Sequence, residues 1–117
     1  MRGERSMSKK IVVILRKPPH GTLFPAEGLR VAVAISASET KVVSIGDSVY
    51  AFLKGTDMTL YKHHLDFLKE TEIPVLIDKD SLEGRELTES DLVEGVTVKE
   101  RNEILNVIAE ADATLTF

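Results

Sequence analysis

KIVVILRKPPHGTLFPAEGLRVAVAISA, residues 10–37, is the stretch whose reading decides the fold. Ile11 to Leu15 is an aliphatic run with no polar alternation, the pattern of a strand buried on both faces of a parallel sheet. Pro18 and Pro19 must end it, because each lacks an N–H and pushes its predecessor out of helical conformation. Pro25 suits a first helical turn, where the missing N–H costs nothing. A helix is therefore expected from Ala26 to Ala37. It carries Leu29, Val31, Ala32, Val33, Ala34 and Ile35, with only Glu27 and Arg30 clearly wet, so it should be sandwiched. In open α/β sheets ligands gather at the carboxyl ends of strands. The loop between this strand and helix is where function is first sought.

The whole composition is that of a globular chain. Of 117 residues, 43% are hydrophobic and 29% charged, values ordinary for one folded domain. A single domain is expected over residues 10–117, preceded by a flexible tail at 1–9. No apolar run approaches the ~20 residues of a membrane span, and the tail lacks the apolar core of a secretory signal. A cytoplasmic protein is expected. A net charge of −4 gives no electrostatic reason to expect nucleic acid as a direct partner. The chain holds no cysteine, which excludes disulfides, thiolate metal sites and thiol nucleophiles within it. Glutamine is absent and asparagine stands only at 102 and 106, while Glu, Lys and Arg are abundant, a composition that hints at a thermophilic source.

Outward from the first unit, Val42 to Ile45 is a second strand that stops at Gly46. Asp47 can cap a short helix from Ser48 to Lys54, closed by Gly55. The next helix, about Leu60 to Glu70, places Tyr61, Leu65 and Leu68 on one face. Ile73 to Ile77 is a third strand, and Thr88 to Asp91 begins one short helical turn. Gly95-Val96 reads as a fourth strand, and Thr97 with Glu100 fits a capping box for the following helix. That helix should bury Ile104, Leu105, Ile108 and Ala111. Ala113 to Phe117 is the last strand. Strands alternating with helices imply an α/β fold, a three-layer α/β/α sandwich around a five-stranded, mainly parallel sheet.

Several motifs invite a chemical reading. A helix N-terminus after a strand attracts anions, but Gly21 and Gly28 fit neither dinucleotide nor P-loop spacing. Gly46-Asp47-Ser48 has the form of a hydrolase nucleophile turn. No histidine follows late in the chain to activate the serine, so Asp47 is better explained as a cap. His63 and His64 are helical neighbours about 100° apart and cannot easily share one metal ion. No metal or cofactor is implied. His20 differs, since prolines stiffen its loop at the carboxyl end of the first strand. It can serve as a hydrogen-bonding or general-base group, or simply pack the loop. Asp78 and Asp80 follow the third strand at the same sheet edge; they can act as paired acids or as a solvated turn.

Pro19-His20-Gly21-Thr22 with Glu27-Gly28-Leu29 resembles the start of DsrE/DsrF-family sulfur-relay proteins, most like the DsrF (TusC) branch. Ile45-Gly46-Asp47-Ser48-Val49, Ser81-Leu82-Glu83-Gly84-Arg85 and the closing Asp112 to Phe117 are similar to further family motifs in the same order. The resemblance runs from Lys10 to Phe117. It implies an α/β/α domain that forms trimers or hexamers, either with itself or with DsrE- and DsrH-like subunits, and that relays persulfide sulfur, in some members toward tRNA thiolation. Aligning Arg85 with the family arginine puts Asp78 where DsrE-type subunits carry the acceptor cysteine. The implied role is that of a non-catalytic subunit with a cleft around His20, Gly21, Asp47, Asp78 and Arg85. The same fold also allows a stand-alone small-ligand binder or enzyme using His20 and Asp78. Ser48 departs from the glycine usual at its position in the family.

Overall fold

A computed structural model describes residues 9–117, so the expected tail, Lys9 apart, lies outside the described residues. The elements run β1 (Lys10–Leu15), α1 (Phe24–Ala34), β2 (Glu39–Ser44), a 3-10 helix (Gly46–Phe52), α2 (Lys62–Glu70), β3 (Val75–Asp78), α3 (Lys79–Glu83), a 3-10 turn (Glu89–Asp91), β4 (Thr97–Lys99), α4 (Arg101–Ala109) and β5 (Ala113–Thr116). The five strands lie in the order β4-β3-β2-β1-β5. Every pairing is parallel, so the sheet is wholly rather than mainly parallel.

Strand alternation sorts side chains onto two faces. Val13, Leu15, Val42, Val75 and Ile77 point to a large core, where they meet Leu29 and Ala32 of α1, Leu65 and Leu68 of α2, and Leu82 of α3. Val12, Val43 and Leu76 point the other way and pack under Ile104 of α4. Gly28 lets α1 sit close to the sheet. A Cβ there would lie 2.3 Å from Leu15 Cδ2 and 3.2 Å from the Phe117 ring. Gly46 holds φ at +67°, the left-handed region that glycine enters cheaply, and turns the chain from β2 into the 3-10 helix.

Four local expectations differ from the structure. Thr97 starts no helix; it pairs with Leu76 as the first residue of β4. A β-branched residue beside an open strand gains more from the ladder than from a cap. Glu100 precedes α4 without a side-chain cap bond and accepts instead from Lys79 Nζ at 3.1 Å. The capping box present among the described residues is Thr88 with Asp91, at the turn expected there. Asp47 caps nothing by its side chain, since the 3-10 helix already begins at Gly46 and ends at Phe52, before Gly55. Leu105 is half exposed rather than buried, while Ile104 is fully buried.

Candidate functional site

The chain turns toward the first core after β1, β2 and β3, but toward the second face after β4. The carboxyl ends of β3 and β4 therefore send their connections to opposite sides. That divergence marks a topological switch point, the usual place for ligands in open parallel sheets. Asp78, the last residue of β3, stands at it. Paired with Lys99 across the two strands, it is wholly buried.

A carboxylate is buried only when donors replace its water. Asp78 has four. Arg101 Nε donates to Oδ1 at 3.0 Å and Nη2 to Oδ2 at 2.5 Å, a two-pronged guanidinium–carboxylate contact. The Ser81 N–H and hydroxyl donate to Oδ2 at 3.0 and 2.6 Å, which makes Asp78 the cap of α3. Burial pushes the carboxyl pKa up, but the Arg101 and Ser81 hydrogen bonds outweigh it and hold it below the usual aspartate value. Asp78 is ionised at neutral pH.

From Asp78 the network continues along the sheet edge. Ser81 Oγ also accepts from the Gly46 N–H at 2.8 Å, tying α3 to the turn after β2. Arg85 donates from Nη1 to the Ser81 carbonyl at 3.0 Å, and from Nε and Nη2 to Asp47 Oδ1 at 3.1 and 2.8 Å. Next to it, Ser48 Oγ donates to the Leu15 carbonyl at 2.7 Å and lies 2.6 Å from Ser44 Oγ, locking the ends of β1 and β2 together. Asp80 Oδ2 is 4.0 Å from Arg101 Nε, at the rim.

The structure thus joins Asp47, Asp78 and Arg85 through Ser81. His20 and Gly21 occupy an exposed turn and take no part in these hydrogen bonds. The loop is held instead by Thr22, whose hydroxyl donates to the Pro18 carbonyl. His63 and His64 pack ring against ring at 4.1 Å between centroids. Among the described residues no group of three or more His, Cys, Asp or Glu is placed to hold a metal. Arg101 and Ser81 are the members that sequence reasoning missed. Chemically, the site presents a buried carboxylate whose charge is met by the Arg101 guanidinium and whose two oxygens both accept hydrogen bonds, with Arg85 bracing Ser81 beside it.

Comparison with known proteins follows the same lines. Over 94 residues the chain is 34% identical to the intracellular sulfur oxidation protein DsrF of Allochromatium vinosum, covering 74% of this chain and 69% of that one. It is 27% identical over 116 residues to protein YchN of Escherichia coli, covering 93% of this chain and 99% of YchN. The crystal structure of YchN superposes with a TM-score of 0.82 at 26% identity, over 93% of this chain and 99% of that one. A protein of unknown function from Methanobacterium thermoautotrophicum shares the fold, with a TM-score of 0.69 at 16% identity over 94% and 99% of the two chains. The profile of the DsrE/DsrF-like family matches residues 9–117, and the chain belongs to that family.

Proposed function

We propose that this chain is a non-catalytic, cysteine-free subunit or homologue of a sulfur-relay complex. It would join DsrE- and DsrH-like subunits, or further copies of itself, in assembly or partner docking for sulfur transfer or tRNA thiolation. Family membership and the sulfur oxidation protein among its relatives support a role related to sulfur relay. The observation that carries the subunit reading is Asp78: a buried carboxylate, saturated by Arg101 and Ser81, stands at the switch point of a chain without a thiol. A persulfide needs a thiolate both as nucleophile and as the atom that holds the sulfane sulfur. The use of His20 and Asp78 as a ligand-binding pair has less support, because His20 is exposed and both Asp78 oxygens are already engaged.

The test is transfer of radiolabelled sulfur from a persulfidated donor to the wild-type chain and to Asp78→Cys. Wild type should take no label that survives gentle non-reducing washing. Asp78→Cys should take some, since the Arg101 guanidinium beside position 78 favours a thiolate. Label retained on wild type would overturn the proposal.

A further inference from the structure

Among the described residues, one helix covers the second face of the sheet. The nine residues of α4 make about 13.5 Å of helix, whereas five strands spread over about 19 Å. Running from the carboxyl end of β4 to the amino end of β5, α4 crosses the sheet diagonally. Among the described residues, a strip of β2, β3 and β4 beside α4 stays open on that side, from Lys41 and Pro74 toward their amino ends to Lys99, the β4 residue paired with Asp78.

A groove of about 540 Å³ lies there, within the range of small-ligand sites. Pro74, Leu76 and Val107 give it an apolar lining, and Lys41, Thr97, Lys99, Asn106 and the Glu103 carboxylate bring polar groups to it. Lys99 is engaged, since its Nζ lies 3.8 Å from Glu103. Lys41 is not. It aligns with Val12 in the neighbouring strand and so points to the second face from a central strand, where a lysine is unusual. Its side chain is half-buried, yet among the described residues it forms no ion pair and no side-chain hydrogen bond. A half-buried ammonium beside an apolar floor is stabilised by an anion whose other end is apolar.

We infer that this groove binds a small amphipathic carboxylate, its apolar body over Leu76 and Val107 and its carboxylate on Lys41. The probe is naphthoate, titrated into the isotopically labelled full chain and followed by backbone amide shifts, with naphthalenemethanol as the neutral counterpart. Saturable shifts are expected at Lys41, Leu76, Thr97 and Val107, with naphthoate at least about tenfold tighter than the alcohol. Lys41→Met keeps the apolar stem and should abolish that preference. Asn106→Asp, at an exposed position that cannot endanger the fold, should weaken naphthoate but not the alcohol. Shifts that do not saturate, shifts centred on Asp78 and Arg101, or equal affinity for acid and alcohol in the wild type would each overturn the inference.

Discussion

Asp78 keeps its charge inside the fold because two Arg101 nitrogens and two Ser81 groups replace its water. Removing it leaves the Arg101 head with only Asp80 at 4.0 Å, although that head is partly in water, so Asp78→Ala should cost about 3 kcal/mol in chemical denaturation. Ser81→Ala should cost about 1 kcal/mol. Because the folded Asp78 pKa is depressed, its contribution is complete above the unfolded value of about 3.9 and is lost as pH falls below it. Acid titration of stability should therefore be flatter below about pH 4 in Asp78→Asn than in wild type. Tyr61 gives the alkaline counterpart. Its hydroxyl, buried in the first core, donates to the Ala51 carbonyl at 2.7 Å, and burial with nearby Asp57 pushes its pKa to about 12. The folded pKa is raised, so stability is full below about pH 10 and is lost as pH rises from there through about 12. Tyr61→Phe should remove this alkaline loss and cost about 1 kcal/mol at neutral pH, read from thermal melts across the range. Asp47, Asp78 and Arg85 are singled out through the family resemblance, and the structure links them through Ser81. Arg101 is not singled out, because a fourth strand drawn at Gly95-Val96 leaves it inside a helix, away from the switch point.

At the scale of elements, strand runs and apolar periodicity were enough to place β1, β2, β3 and β5 and the buried face of α2. The short pieces were harder. β4 has three residues, and Thr-x-x-Glu there fits a capping box as well as it fits a strand leading into a helix. Only pairing with Leu76, a long-range contact, decides between them. Leu105 was misassigned for a related reason. Among the described residues α4 packs on the sheet with no second helix beside it, so a residue on its flank stays wet. Two substitutions probe how each layer is fixed. Gly28→Ala places a methyl group against Leu15 and Phe117, and should destabilise by about 1–3 kcal/mol in denaturant melts. Ile104 is the fully buried residue of α4, so Ile104→Ala should cost about 2–5 kcal/mol.

The molecule as a whole leaves large apolar side chains in contact with water. Leu23 and Phe24 are 60% and 48% exposed at the start of α1, and Leu60, in the turn before α2, and Leu105, on α4, are 62% and 51% exposed. The edge strand β5 is exposed along its length, with Leu115 on the same face as α1. Exposed apolar surface beside an open strand edge favours association over a free monomer. That agrees with the assembly role proposed above. The most direct test is sedimentation equilibrium of the purified chain, alone and mixed with the DsrE- and DsrH-type subunits of its own organism. The account predicts a trimer or hexamer of the 12.9 kDa chain, or a mixed complex that contains it. A 12.9 kDa species alone and in the mixture at micromolar concentration would contradict it.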